Sequence, residues 1–327
     1  MSPRALTRRD VLFGVSAASL LGCSHPEDVV VKTGADKKLS EEQIDSDAVP
    51  LLPGGAIGVV YVDARALFAS QFGDKLLGVV QRRTPLPASA GFDPKRDLDK
   101  LWLGFYSMSG ADSAGVAVGS FDREKIEAAA DGQQQTPLGV PVTKSRYAGR
   151  TLFTAGEAGF SVLTAKTALI GNDTGMRRAL DRIDEGRVRR QIPAYMEKLL
   201  STPGVPLVAG ADFTSNPLPD AARQELAFLN GIKTLALVGN FEAPGLNLAG
   251  TLTYSDPEAA TRGAQNLVML RSTLERYAPF LALLGIAQPV RKLEAQPKES
   301  EVSFVLGVDG AAVAVLLEKA QDLLIRK

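Results

Sequence analysis

Histidine and cysteine are almost absent from this 327-residue sequence, which has one of each. The single cysteine, Cys23, excludes an internal disulfide, and it is too few for an iron–sulfur cluster or a zinc site of several thiolates. The single histidine, His25, stands two residues later, so the rest of the chain has none for a Ser-His-Asp triad or a multi-histidine metal site. We therefore predict no metal site and no resident cofactor.

The sequence motifs of the common enzyme classes are also missing. There is no G-x-S-x-G elbow, no S-x-x-K pair, no H-E-x-x-H, no Walker loop and no G-x-G-x-x-G after a strand. Two carboxylates that folding brings together leave no such pattern, so a carboxylate-based hydrolase stays an open alternative. Otherwise we predict that the protein is not an enzyme, and we assign no catalytic residue.

The N-terminus has the layout of an export signal. Arg4, Arg8 and Arg9 precede the uncharged run 11–22, which is shorter than the roughly 20 apolar residues that span a bilayer. The stretch Thr7-Arg8-Arg9-Asp10-Val11-Leu12 resembles the twin-arginine export motif, with Val11 in the place where Phe is common. This resemblance implies that residues 1–22 are a cleaved signal and not a permanent membrane helix.

The residues that end this run resemble the lipobox of bacterial lipoproteins. They read Leu20-Leu21-Gly22-Cys23. The resemblance implies cleavage before Cys23, acylation of that cysteine and attachment of the protein to a membrane of the cell envelope. Ser24 follows in place of the Asp that retains many lipoproteins at the inner membrane, which favours the outer membrane.

Charge after cleavage is nearly balanced. Removal of residues 1–22 takes three Arg and one Asp from totals of 37 basic and 37 acidic residues, and leaves 34 and 36, a formal net charge of −2. This balance predicts no nucleic-acid partner. The expected partners are the membrane, through the lipid anchor, and envelope proteins or lipids.

Residues 23–50 are predicted to be a lipidated N-terminus and flexible tether. They are rich in charge, lack aromatic residues and keep no regular hydrophobic period, so they offer little apolar surface to bury. The alternative is that Val29–Val31 docks as an edge strand. The globular body then begins at residue 51.

The body is predicted to be α+β and duplicated, with halves 51–190 and 191–327. Each half is expected to be a mostly antiparallel sheet with helices packed on one face, because hairpin patterns and amphipathic helices alternate in an order that occurs twice. The first long helix is predicted over residues 64–81.

Aspartates at corresponding strand-to-helix turns support the duplication. The pairs are Asp63 with Asp212, Asp122 with Asp256, and Asp173 with Asp309. A helix start needs a side-chain acceptor for its free amides, so we interpret these residues as helix caps. The alternative is that some of them are catalytic carboxylates.

Two surface features are open to a binding interpretation. The first is a basic patch for an anionic surface, and the second is a leucine stripe for an acyl chain, which equally suits ordinary packing of a helix on a sheet. The patch comprises Arg177, Arg178, Arg182, Arg187, Arg189 and Arg190, and the stripe comprises Leu267, Leu270, Leu274, Tyr277, Leu281 and Leu284.

The body also resembles bacterial exported lipoproteins of unknown function. The resemblance lies in the strand end Gly119-Ser120-Phe121-Asp122 and in the hairpin turn Tyr147-Ala148-Gly149. We therefore expect a membrane-anchored envelope lipoprotein that acts as a non-enzymatic binding, scaffold or assembly module. The alternative is a carrier of a lipid or another apolar ligand, and a carboxylate-based hydrolase is the less favoured third hypothesis.

Overall fold

The structure is a computed structural model that describes residues 39–107, 112–129, 134–136, 139–276 and 290–314. The predicted signal, the lipobox, Cys23, His25 and the first part of the tether lie outside these residues.

In the part of the chain that the structure describes, thirteen strands form one antiparallel sheet. The strands are β1 (Gly58–Asp63), β2 (Leu98–Phe105), β3 (Ser113–Gly119), β4 (Gln134–Gln135), β5 (Pro141–Tyr147), β6 (Arg150–Ala155), β7 (Ala158–Val162), β8 (Thr167–Gly171), β9 (Leu207–Asp212), β10 (Ile232–Asn240), β11 (Gly245–Tyr254), β12 (Val290–Lys298) and β13 (Glu301–Asp309). Their spatial order is β12-β13-β11-β10-β9-β1-β2-β3-β8-β7-β6-β5-β4. The predicted α+β class with a mostly antiparallel sheet is confirmed.

Helices connect these strands and cover the sheet. They are α1 (Glu41–Ser46), α2 (Ala64–Phe68), α3 (Gly73–Arg83), α4 (Pro94–Asp97), α5 (Arg123–Ala129), α6 (Asp173–Asp184), α7 (Ala194–Leu200), α8 (Asp220–Glu225) and α9 (Pro257–Arg276), with short 3-10 turns at Val49–Leu51, Ala88–Ala90 and Ala227–Leu229. Residues 310–314 are helical after β13.

The two predicted halves meet where β1 pairs with β9 at the centre of the sheet. Val60 lies opposite Ala209, and Val62 lies opposite Leu207. Outward from this seam the strands run β1-β2-β3-β8-β7 on one side and β9-β10-β11-β13-β12 on the other. The first half continues with β6, β5 and β4. The shared strand order agrees with a duplication, which stays a prediction.

Helices cover both faces of the first half, so the prediction of helices on one face is wrong there. We call one face the strap face, which carries Val59, Val116 and Leu169, and the other the pocket face, which carries Ala117, Phe153 and Ile170. Side chains of α1, α6 and α7 pack with the strap face, and those of α2, α3 and α5 pack with the pocket face. The reason is that β3, β6 and β8 bury apolar side chains at successive positions, as strands covered on both sides do.

The second half has its main apolar cluster on the pocket face, under α9. Leu252 and Val302 are buried there against Ala260 and Leu267. The register places Ala249 and Val305 on the strap face, where both are exposed. Leu267 of the predicted leucine stripe thus packs on the sheet, while Tyr277, Leu281 and Leu284 lie outside the described residues.

The predicted tether is also corrected, because residues 40–50 within it are folded against the body. Ser40 and Gln43 form a reciprocal capping box at the start of α1, and Ile44 is 1% exposed within the strap-face core. Asp45 accepts hydrogen bonds from Thr164 Oγ1 at 2.5 Å and from Thr167 Oγ1 at 2.6 Å. We call residues 40–52 the N-terminal strap. The charged composition of the predicted tether concealed Ile44 and Val49, which are buried together with Leu51 and Leu52 at the start of the predicted body.

The helix predicted over residues 64–81 is two helices, α2 and α3, joined by a turn. Phe72 in this turn is buried and contacts the Phe241 ring edge-on, with centroids 6.1 Å apart. At Gly73 a Cβ would lie 2.2 Å from the Phe68 carbonyl oxygen, so only glycine allows the chain to turn this tightly. The turn sets α3 on a new direction over the pocket face.

Candidate ligand-binding site

The pocket face of the first half carries an apolar pocket of about 390 Å³. Its floor is the sheet where β2, β3, β7 and β8 run side by side, and its walls are the end of α3 and the connection from α3 to β2. The lining residues are Val80, Thr84, Pro85, Phe92, Pro94, Leu98, Leu101, Ser113, Ala117, Glu157, Ala158, Gly159, Phe160, Ile170, Gly171 and Asn172. The volume falls in the range of about 300–1,000 Å³ that is usual for small-molecule sites.

A small residue of the sheet leaves the space that the pocket occupies. Leu101 lies opposite Ala117, and Ile170 lies opposite Gly115 on the neighbouring strand. Ala117 is thus the short residue of the floor, whereas the space over Gly115 is filled by the side chains of Leu103 and Ile170. The floor is therefore apolar and recessed between Leu101 and Ile170.

Polar groups at this pocket are few, and two of them are used by the fold. Asn172 caps α6 by accepting from the Gly175 amide at 2.9 Å, and the Thr84 hydroxyl donates to the Val80 carbonyl at 2.8 Å. Glu157 is the one carboxylate among the lining residues. The pocket therefore suits an apolar molecule and does not present a pair of acids.

A second pocket of about 510 Å³ adjoins the first and shares Phe92 with it. The ring of Phe92 stacks on Phe121 at 5.7 Å between centroids and lies 6.0 Å from Phe160. These three rings separate the two pockets. The second pocket is lined by Ala90, Gly91, Phe92, Arg96, Asp97, Ser120, Phe121, Asp122, Lys125, Ile126, Ala165 and Lys166.

Two acids, Asp97 and Asp122, line the second pocket, but both are committed to structural bonds. Asp97 is held by two bonds of 2.6 Å from the Arg96 guanidinium and one of 2.8 Å from the Asp93 amide. Burial alone raises the pKa of Asp97, but the bonds from Arg96 and Asp93 outweigh burial and lower this pKa below its usual value. An acid with a lowered pKa is ionised at neutral pH, so Asp97 is a poor proton donor.

Asp122 acts as a helix cap, and so do three of the other paired aspartates. The Lys125 amide donates to Asp122 Oδ1 at 3.0 Å, and the Ala259 amide donates to Asp256 Oδ1 at 2.7 Å. Asp63 caps α2 in the same way, and Asp309 accepts from Ala311 and Ala312. The other two do not cap: Asp212 accepts from the Thr214 amide in a local turn, and the α6 cap is Asn172 in place of Asp173.

Arginines of the predicted basic patch are mostly engaged within the protein. Arg190 pairs with Asp47 of the N-terminal strap at 2.6 Å and with Glu197 at 2.9 Å. Arg178 pairs with Asp112 at 2.6 Å. The remaining contacts join Arg177 to Asp173, Arg187 to Glu185, and Arg182 to Gln191 and to the carbonyls of Pro50 and Arg189.

The structure thus uses much of this patch to hold the N-terminal strap and the join between the halves. This use has an energetic cost at Arg182, because burial lowers its pKa and its Nε has no hydrogen-bond partner among the described residues. Arg187 and Arg189 are exposed. A role for the patch at an anionic surface stays a prediction, and these two side chains are its most accessible members.

Sequence reasoning missed both pockets. The segment that roofs them, 84–97, reads TPLPASAGFDPKRD, and its prolines and Gly91 indicate an irregular connection between a helix and a strand. Gly91 has a φ of 65°, a backbone conformation that favours glycine. The sequence signal for the pockets was therefore an irregular loop of this length next to apolar strands. That signal indicates a loop and does not specify a cavity.

The described residues offer neither a metal site of clustered ligands nor a membrane-spanning helix. Within these ranges no group of three His, Cys, Asp or Glu side chains is arranged to hold a metal ion. No helix in the same part of the chain is long and apolar enough to cross a membrane.

Comparison with known proteins bears on the fold. The sequence matches no family model and no curated protein. Two solved structures of TP0453 are similar: crystal form I with a TM-score of 0.51, and crystal form III with a TM-score of 0.53, each at 11% identity. The match covers 83% of this chain in both cases, and 97% and 98% of the TP0453 chains. The chain is therefore similar in fold to TP0453 over most of both proteins.

Proposed function

We propose that this protein is an exported envelope lipoprotein, anchored through Cys23, that binds a small apolar molecule or an acyl chain in the pocket of the first half. The observation that carries the proposal is the 390 Å³ apolar pocket between α3 and the sheet. Among the non-enzymatic roles expected from the sequence, the pocket favours the carrier over a scaffold or assembly module.

The lining of the pocket supports an apolar ligand. Leu101, Ile170 and Phe160 present carbon atoms to a space that no larger side chain fills. A ligand that covers them gains about 25 cal/mol for each Å² of apolar surface removed from water. Because Asn172 and Thr84 are already hydrogen-bonded, a purely apolar group leaves neither of them without a partner.

The state of the acids supports binding over hydrolysis. A carboxylate pair needs one group that can donate a proton and a second that is free to act as base or nucleophile. Glu157 is the one acid at the apolar pocket, while Asp97 and Asp122 in the second pocket are tied to Arg96 and to the start of α5. Asp97 and Asp122 are thus both engaged in structural hydrogen bonds.

A pocket-filling variant tests ligand binding. The probe is N-phenyl-1-naphthylamine, a neutral dye whose fluorescence rises in apolar sites, titrated into the purified mature chain. Ile170→Trp places an indole in the pocket. Val238→Trp places an indole at a half-buried strand position of the second half and is the control. We expect saturable binding by the wild type and by Val238→Trp, and a loss of about tenfold or more in affinity, about 1.4 kcal/mol, for Ile170→Trp.

The thermal midpoint of each variant is measured in parallel, so that a loss of binding is read only from folded protein. No saturable binding by the wild type, or an unchanged affinity in a folded Ile170→Trp variant, would overturn the proposed function.

Anchoring is tested separately. Cys23→Ser should move the protein from the membrane fraction to the soluble fraction, because the acylated cysteine is the proposed anchor. Replacement of Arg8 and Arg9 by Lys should stop export if the twin-arginine route is used. Firm membrane attachment of the Cys23→Ser protein contradicts the lipobox interpretation, and continued export of the double Lys variant contradicts the export route.

A further inference from the structure

The second pocket gives a reason to specify the ligand further. Three basic side chains, Arg96, Lys125 and Lys166, line it, and it begins at the other side of the Phe92 ring from the apolar pocket. An apolar space and a basic space are therefore neighbours, with one aromatic side chain common to both.

Within the described residues no direct ion pair holds the charges of the two lysines, although the charge of Lys125 helps, from a distance, to lower the pKa of Asp97. Arg96 is bound to Asp97 by two hydrogen bonds and to the Gly91 carbonyl by a third. Among the described residues, by contrast, neither Lys125 nor Lys166 has a carboxylate within ion-pair distance, and both side chains are exposed at the pocket. Their ammonium groups are thus available to a ligand.

Lys125 is also placed by the roof of the pocket. A Cβ at Gly91 would lie 2.6 Å from Lys125 Nζ, so the ammonium rests directly over this glycine. Gly91 precedes Phe92, the shared ring. The charge of Lys125 therefore lies beside the boundary between the two pockets.

Asp97 and Asp122 reduce the positive potential of this pocket, but neither forms an ion pair with Lys125 or Lys166. The oxygens of Asp97 are bound by Arg96 and the Asp93 amide, and Asp122 accepts from the Lys125 amide. With Arg96 and these two acids included, the pocket keeps an excess of one positive charge. A single anionic group is the ligand charge that this excess complements.

We propose that the pocket pair binds an amphiphile with one anionic head group, a carboxylate or a phosphate. This inference rests on the proposed function. The apolar tail occupies the pocket over Ala117 and Ile170, the chain passes the Phe92 ring, and the head group accepts hydrogen bonds from Lys125 and Lys166. An ammonium is a compact point charge with three donors, which suits either head group.

The test compares ligands that share a tail and differ in the head. Decanoate, decyl phosphate and 1-decanol each displace N-phenyl-1-naphthylamine from the mature chain at about pH 8, where the carboxylic acid is ionised. Lys125→Gln with Lys166→Gln removes both ammonium groups. Lys233→Gln with Lys298→Gln removes the same charge from exposed positions of the second half and is the matched control.

We expect the wild type and the control to prefer at least one acid over the alcohol by about tenfold or more, since hydrogen bonds in which both groups are charged are stronger than hydrogen bonds to a neutral hydroxyl. In the Lys125/Lys166 variant this preference should fall to within about twofold, with binding of the dye unchanged. Whether decanoate or decyl phosphate gives the larger preference identifies the head group.

Equal affinity of the wild type for all three ligands, or a preference that the Lys125/Lys166 variant retains, overturns the head-group inference and leaves the apolar pocket in place. Failure of the dye to bind overturns the proposed function itself. The two failures are therefore distinguishable in one set of titrations.

Discussion

The two halves of the sheet share a strand order but differ in how they are covered. In the first half, β3 buries four consecutive residues from Ala114 to Ala117, because helices or the strap lie on both faces. In the second half, β13 alternates, with Val302 buried and Ser303 exposed. The same order of strands thus supports a closed, two-sided core on one side of the seam and a one-sided core on the other.

The pockets arise from what is added to the first half. The connection from α3 to β2 spans residues 84–97 and includes a 3-10 turn and α4, whereas the connection from α8 to β10 spans 226–231. The longer connection crosses the pocket face without filling it, and it brings Phe92 between the apolar and basic spaces. The comparison indicates that the sheet supplies the framework and that an added segment supplies the site.

The largest expected effect tests the two-sided core. Ile44→Ala removes a side chain that is 1% exposed in the N-terminal strap, and buried Ile→Ala changes typically cost about 2–5 kcal/mol. Val305→Ala, at a strap-face position of the second half that is 39% exposed, should change stability by about 0.5 kcal/mol or less. Urea unfolding monitored by circular dichroism measures both values.

Similar small losses for the two variants would contradict the packing of the strap in solution. A deletion series gives a second readout. Removal of residues 26–38 should leave the thermal midpoint nearly unchanged, as expected for a polar tether, whereas a deletion extended to residue 48 should lower it by several degrees because α1 and its contacts to Thr164 and Thr167 are lost.

The helix caps test the correspondence between the halves through a smaller expected loss of stability. Asp122→Ala at the start of α5 should cost about 0.5–2 kcal/mol, the usual range for a lost cap. Asp256→Ala at the start of α9 should lower the unfolding midpoint in the same direction and by a similar amount. Dye binding should persist in both variants.

A capping role and a catalytic role for Asp122 predict opposite results for Asp122→Ala. If Asp122→Ala left stability unchanged but abolished an activity of the protein, Asp122 would be a functional acid and not a cap. Asp122→Asn serves as the control, because asparagine caps a helix about as well as aspartate.

Sequence patterns predicted the sheet and several of its turns, because these depend on local signals. Gly149 in the β5–β6 turn and the capping positions of Asp63, Asp122 and Asp256 are fixed by backbone geometry and free amides. The packing of residues 40–50 was not predicted, since Ile44 and Val49 in a charged segment reveal nothing of the surface, 119 to 122 residues later in the chain, that binds Asp45. The pockets were not predicted for the same reason: Phe92, Ala117 and Lys166 meet only in the folded chain.

The smallest expected effect compares two largely shielded aspartates, one in each half, that each pair with an exposed arginine. Asp97 is bonded to Arg96 and the Asp93 amide, and Asp309 is bonded to Arg291 and the amides of Ala311 and Ala312. Burial raises the pKa of each carboxyl, but these bonds outweigh it, so both pKa values lie below the usual 3.8. Each aspartate binds protons less readily folded than unfolded.

The direction of the pH dependence follows. A lowered folded-state pKa contributes stability that is fully present above the unfolded pKa and is lost as the pH falls through the folded value. Asp97→Asn and Asp309→Asn should therefore destabilise the protein at about pH 7, and their difference from the wild type should be smaller at about pH 2, below the usual aspartate pKa. Urea midpoints at these two pH values measure the change in this difference.

Because the Asp97 side chain is 12% exposed and the Asp309 side chain 19%, the loss of stability at neutral pH should be at least as large for Asp97→Asn. A difference from the wild type that persists undiminished in acid would mean that shape or hydrogen bonding, and not charge, is what these two aspartates contribute.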